Sequence, residues 1–141
     1  RLLPKQMRDV QRDFDAVVTV GRCPILAATR EQLNEYFAGK RERFDIPLEL
    51  RGSDWERSVW NELLRIPCGQ TRSYEDIALA LHRPGAQRAV GLANGRNRIA
   101  IVVPCHRVIQ KDGTLRGYGG GIPRKAFLLD LEKKITGQSL Y

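Results

Sequence analysis

SYEDIALALHRPGAQRAVGLANG, running from Ser73 to Gly95, is the stretch on which the reading of the fold turns. Ser73 and Asp76 stand three apart, the spacing at which a hydroxyl and a carboxylate cap each other's backbone N–H groups. They predict a short helix through Leu81, with Ile77 and Leu81 on its apolar side. Arg83-Pro84-Gly85 breaks the chain, because proline cannot continue a helix and glycine turns freely. Ala86 to Asn94 resumes as a second short helix with Ala89, Val90 and Ala93 inward, and Gly95 is placed to close it in the left-handed conformation. Two short helices across a tight turn describe a helix-turn-helix.

Working outward, Ser53 and Glu56 form another capping box before Trp55, Val59, Leu63 and Ile66, which recur at helical spacing until Pro67 and Gly69. On the other side, Ile99 to Val103 has no polar residue and predicts a buried strand. Arg107 to Gln110 and Thr114 to Tyr118 flank Lys111-Asp112-Gly113, a good hairpin turn, so the outline is that of a winged helix. Gly117, Gly119, Gly120 and Gly121 make a loop where backbone can approach a ligand. Pro123 starts a final helix with Phe127, Leu128, Leu131 and Ile135 as its core stripe.

The first fifty residues say less. Phe14 to Val20 reads as a strand on its β-branched content. Thr29 and Gln32 predict the start of a helix carrying Leu33, Tyr36 and Phe37, stopped by Gly39. Phe44 to Leu50 alternates around Pro47, as an edge strand or an extended linker would. The expected division is residues 1–51, a shortened first domain and linker, and residues 52–141, the orderly unit.

With 141 residues the chain is long enough for a core of its own. No apolar run approaches the roughly 20 residues that span a bilayer, and residues 1–11 lack the apolar stretch of a secretory signal. The three cysteines form no CxxC pair and no even disulfide set, which argues against a structural zinc and for a reducing compartment. These features predict a soluble cytoplasmic protein with no metal and no membrane contact. The formal charge is +8, and Arg83 to Arg116 carries seven basic residues against Asp112 alone. Such a block suits a polyanion or a plain solvated face.

Cys105 is the candidate for chemistry, in Pro104-Cys105-His106-Arg107. A thiol attacks as thiolate, and a neighbouring imidazole and basic groups favour that form. Adjacent side chains in extended chain point apart, however, so Cys105 and His106 make a dyad only through a turn or a bridging water. A buried structural cysteine is the competing reading. Glu132 lies four residues after Leu128, where it can orient His106 or sit as a surface acid beside Lys133. Asn97 can cap a turn. His82, Cys23 and Cys68 receive no role.

Pro104-Cys105-His106-Arg107-Val108 resembles the active-site signature of the O-6-alkylguanine-DNA alkyltransferases, the methylated-DNA–protein-cysteine methyltransferases. Ile66-Pro67-Cys68-Gly69 with Ser73-Tyr74 looks like the family's lead-in to its helix-turn-helix, and Arg88-Ala89-Val90-Gly91 like its recognition helix. Asn97 stands eight residues before the cysteine, as in the family, and Gly117-Tyr118-Gly119-Gly120-Gly121 with Lys125 to Glu132 completes a match over about residues 53 to 134. The implied fold is α/β of the α+β kind. A winged helix-turn-helix alkyltransferase domain would follow a short or truncated ribonuclease-H-like part.

The resemblance implies direct reversal of DNA damage, one irreversible transfer of an alkyl group from guanine O-6 (with thymine O-4 a further candidate) in double-stranded DNA. Cys105 would accept the group, His106 would take its proton through a water, and Glu132 would hold the imidazole. Asn97 would tie backbone around the cysteine loop, and Tyr74 would hydrogen-bond the departing guanine while pressing on the phosphate backbone. Carbonyls of Cys105 and Val108 would meet the guanine amino group and amides near Tyr118 and Gly119 its O-6 edge, with Lys125 organising that site. Arg88 would fill the gap left by the flipped base, with Ala89, Gly91 and Arg96 at the DNA. Some family members carry serine where this chain has Gly119. No cofactor is implied, and a monomer suffices, in the cytoplasm or on the nucleoid. A non-catalytic lesion binder or an adaptive-response regulator is the alternative. The former lacks the acceptor cysteine, and the latter needs a sensor domain for which this length has no room, though a parent chain could have one.

Overall fold

A computed structural model describes residues 3–138; the outermost residues of both expected segments, 1–2 and 139–141, lie outside the described part. The chain runs through α1 (Leu3–Phe14), α2 (Pro24–Phe37), α3 (Asp54–Leu63), β1 (Arg72–Ser73), α4 (Tyr74–Ala80) and α5 (Gln87–Gly95). A 3-10 turn over Cys105–Arg107, β2 (Val108–Ile109) and α6 (Ile122–Ile135) follow.

Both capping boxes form. Ser53 and Glu56 close the head of α3, and Ser73 and Asp76 that of α4, each with side chain and backbone bonded in both directions. Four orphan N–H groups open every helix, and these side chains satisfy some of them at each site. His82 at φ +57° and Gly85 at φ +84° then turn the chain from α4 into α5. Two tryptophans fasten α3 to α5: Trp55 Nε1 donates to the Ala89 carbonyl at 3.2 Å and Trp60 Nε1 to the Ala93 carbonyl at 2.8 Å. Val59, Leu63, Ile66, Ile77, Val90 and Val108 fill the space between these helices and the cysteine turn.

β1 and β2 pair in parallel, Arg72 with Val108 and Ser73 with Ile109. Two rungs are a weak sheet, yet they set the first residue of α4 beside the cysteine turn. On the far side of that turn, α6 presents Lys125, Leu128 and Glu132, spaced by three and four residues, as its buried face.

Several sequence expectations give way. Phe14 ends α1, and Val17, Val18 and Val20 are exposed coil, because no partner strand among the described residues takes their backbone groups. α2 starts at Pro24 rather than near Thr29, whose hydroxyl donates back to Ile25, and Gln32 pairs with the Asp45 backbone. Residues 44–50 are an unpaired linker, so the segment before Gly52 holds two helices and no strand among its described residues. A ribonuclease-H-like sheet is therefore not visible there. Gly95 stays helical and Arg96 caps α5.

Ile99 to Val103 forms a tight turn instead of a strand, with Ile101 at φ +75° and the Val103 amide donating to Ile99 at 2.9 Å. The Lys111–Gly113 turn is present, with Gln110 N bonded to Thr114 O at 3.1 Å. Val108 and Ile109 spend their ladder on β1, so no regular wing forms. On α6, Leu128 is buried, but Phe127 of the expected stripe faces solvent.

Candidate active site

The tight turn at Ile101 swings the chain so that Cys105 points inward. Asn97 holds that turn at both ends: its Nδ2 donates to the Val103 carbonyl at 2.8 Å and its Oδ1 accepts from Ile99 N at 2.9 Å. Asn94 Nδ2 adds a bond to the Cys105 carbonyl at 3.3 Å. Asn94 was absent from the expected site. Its position four residues after Val90, on the inward stripe of α5, was the available signal.

Cys105 is 6% exposed, at the floor of a cleft of about 510 Å³. Asn97, Tyr118, Gly119, Gly120 and Arg124 line its walls. Burial pushes the thiol's pKa up, while the Asn97 amide and the Lys125 charge pull it down without reversing the shift. The resting sulfur is thus protonated, and attack requires that the proton be taken away.

His106 is fully buried, and its Nε2 lies 2.7 Å from Glu132 Oε1. Among the described residues its Nδ1 has no hydrogen-bond partner. Glu132 is also fully buried and holds an unusually full set of donors. Arg107 binds it side-on, Nε to Oε2 at 2.9 Å and Nη2 to Oε1 at 2.8 Å, while Gly69 N reaches Oε2 at 3.2 Å and the Tyr36 hydroxyl reaches Oε1 at 2.8 Å. Burial alone would raise the Glu132 pKa, but the bonds from His106 and Arg107 win and hold it down at about 2. Arg107, placed among the basic block by sequence, is an internal partner: it is buried, and Nη1 donates to the Ile66 carbonyl at 2.5 Å. Tyr36 gave no signal, since its partner lies 96 residues away.

Tyr74 and Lys125 form a polar pair close enough to Cys105 to feel its charge. Lys125 is fully buried, its Nζ donating to the Arg116 carbonyl at 3.1 Å and lying 5.9 Å from the Tyr74 ring centroid. Desolvation lowers the Lys125 pKa against the pull of Cys105. The Tyr74 hydroxyl donates to the same carbonyl at 3.3 Å. Burial raises the pKa of Tyr74, and that of Tyr118 to about 12, so both stay phenols near neutrality. Gly117 at φ +59° lets the loop pass the Tyr74 hydroxyl, and Gly121 at φ +92° leads into α6.

Arg88 is exposed on α5 and makes no ion pair among the described residues. Ala89 and Gly91 are half-buried on the same helix, and Val108 is a core residue whose side chain faces away from solvent. Arg96 is paired with Glu56 at 2.6 Å, and Arg98 leans on Asp9 and Asp13 at 3.5 and 3.7 Å. Of the expected residues, Cys105, Asn97, Tyr118 and Gly119 line one cleft, His106 and Glu132 form a buried pair behind the cysteine turn, Tyr74 and Lys125 meet at the Arg116 carbonyl, and Arg88 stands apart, exposed on α5. Among the described residues no cluster of His, Cys, Asp or Glu has the form of a metal site, and no helix is long and apolar enough to cross a membrane.

The family model for the DNA-binding domain of 6-O-methylguanine DNA methyltransferase matches residues 54–134. A curated methylated-DNA–protein-cysteine methyltransferase of Mycobacterium bovis is 62% identical over 103 residues, covering 73% of this chain and 62% of its own length. The chain therefore spans about 62% of such a relative. The crystal structure of Mycobacterium tuberculosis OGT in complex with DNA superposes with a TM-score of 0.76 at 59% identity, covering 77% of this chain and 68% of that one. The O6-methylguanine-DNA methyltransferase of the hyperthermophilic archaeon Pyrococcus kodakaraensis gives 0.71 at 31% identity, over 92% and 78%.

Proposed function

The chain belongs to the 6-O-methylguanine DNA methyltransferase family, and from that premise we propose that it repairs alkylated double-stranded DNA by moving one alkyl group from guanine O-6 onto Cys105. The observation that carries the reading is a buried thiol at the floor of an open cleft, backed by a histidine whose other nitrogen is anchored on a buried carboxylate.

The alkylated base is stacked inside the duplex and has to be rotated out to reach such a floor. Arg88, exposed on α5, suits the space the base leaves, and Ala89, Gly91 and the pairable Arg96 lie where α5 would meet the backbone. In the cleft, the Cys105 S–H gives its proton toward His106 Nδ1 through a water, and the imidazole keeps its other proton on Glu132. The thiolate forms a bond to the alkyl carbon as the carbon–O-6 bond breaks. The departing guanine takes up one proton, so thiol and alkylguanine become thioether and guanine. Tyr74 and Lys125, a phenol and an ammonium held near the thiol, stabilise the charge that develops on the base. The Val108 and Cys105 carbonyls and the amides near Tyr118 and Gly119 would frame its edges. Water does not readily cleave a thioether, so each molecule acts once. The reading needs no cofactor and a single copy of the chain, working in the cytoplasm or on the nucleoid. It assigns DNA binding and alkyl transfer to residues 52–141, with residues 1–51 as a separate N-terminal part.

Intact-protein mass after mixing with a duplex holding one O-6-methylguanine tests this. One methylene should be gained stoichiometrically by the parent, mapped to Cys105, and not by Cys105→Ala. Tight lesion binding without a mass gain would move the chain to the non-catalytic binders, and neither gain nor binding would sink the reading.

A further inference from the structure

Tyr36 lies in α2, outside the residues that the family model matches, and is fully buried. Among the described residues its hydroxyl has one partner, Glu132 Oε1, at 2.8 Å, the oxygen that also accepts from His106 Nε2 and Arg107 Nη2. Its ring is held independently, edge-on to Phe37 and tilted on Phe44 at 5.4 Å each. Apolar packing therefore fixes where the hydroxyl points, and the hydroxyl in turn fixes one oxygen of the carboxylate.

We propose that Tyr36 is a positioning residue for alkyl transfer: from the N-terminal segment it completes the donor set of Glu132 Oε1 and so sets how that carboxylate shares its charge between His106 and Arg107. The inference rests on the functional reading above. A carboxylate oxygen holding donors from three residues divides its acceptor strength among them. Arg107 binds side-on with two nitrogens and needs no help to stay in place, whereas His106 has a single bond to Glu132. Removing the phenol lets the carboxylate resettle around the guanidinium, and the imidazole loses its register with the thiol. The catalytic unit is then not self-contained in residues 54–134, since its relay is finished by α2.

Tyr36→Phe keeps the ring and its contacts and deletes only the hydroxyl. Transfer from an O-6-methylguanine duplex should slow by roughly tenfold to a hundredfold, as expected for loss of one hydrogen bond to a charged group. Affinity for the same duplex, measured with Cys105→Ala and with Cys105→Ala/Tyr36→Phe, should not change. Proton NMR supplies a readout that packing alone does not move. The His106 Nε2–H resonance should be displaced in Tyr36→Phe, while the ring signals of His82, the other histidine, stay put. In the unaltered protein the Tyr36 hydroxyl proton should exchange slowly and show a cross-peak to His106 Nε2–H, a measurement that holds even if the variant folds poorly. Unchanged transfer with an unmoved resonance, or a missing cross-peak, overturns the proposal. If the parent transfers nothing but the resonance moves, the functional reading fails while the coupling of Tyr36 to His106 stands.

Discussion

A buried carboxylate survives at Glu132 because its donors outnumber what solvent would supply, and this has a measurable sign. Its folded pKa of about 2 lies below the ordinary glutamate value near 4.3. The contribution to stability is therefore full above that ordinary value and is lost as pH falls from there toward 2, amounting to about 3 kcal/mol at neutrality. Urea melts between pH 6 and 2 should show the parent losing stability in that window, and Glu132→Gln should flatten this part of the curve. At neutral pH the same substitution strands the Arg107 guanidinium without its counter-charge, and should cost about 3–5 kcal/mol. Arg107 also shows why spacing misleads at this scale. A basic residue next to a candidate nucleophile counts as surface charge in a composition, yet here it is an internal strut between α6 and the Ile66 carbonyl.

At the scale of elements, capping chemistry was legible and turn chemistry was not. The Ser–Asp and Ser–Glu pairs act within four residues, so α3 and α4 start where the letters say. Ser73→Ala should cost about 1 kcal/mol in a denaturant titration, as lost helix caps do. Five apolar residues from Ile99 to Val103 read as a buried strand, yet only Val102 and Val103 are buried and Ala100 is exposed, and apolarity alone says nothing of backbone direction. The direction comes from Asn97, a polar residue outside the run, and from a left-handed Ile101. Strain at a β-branched residue with positive φ is relieved by glycine, which also frees the unfolded chain. Ile101→Gly should therefore leave stability within about 0.5 kcal/mol, while Val103→Ala in the same segment should cost about 2 kcal/mol. Chemical denaturation of the two variants separates the turn from the strand. In the first fifty residues the Thr29–Gln32 pair pointed to a helix but misplaced its start, which lies at Pro24. The helix α1 was missed, and the valine-rich stretch after it has no partner strand among the described residues.

Across the whole molecule the basic surplus is unevenly available. Arg96 and Arg98 are spoken for by Glu56, Asp9 and Asp13, whereas Arg88 is not among the paired residues. Fluorescence anisotropy over a salt series should give Arg88→Ala a slope of log affinity against log salt shallower by about 1, the mark of one released counterion. Arg98→Ala should change that slope by less. The convergence on Glu132 draws on residues 36, 69, 106 and 107, whose chain positions span most of the fold. During synthesis the N-terminal stretch emerges first, so Tyr36 precedes its partner by 96 residues. Until α6 has been made and has docked, that phenol has only water to bond, and the carboxylate still to come has no buried site to enter. Completion of the Glu132 donor set thus waits until α6 has been made and docked, after Cys105 is already in the chain.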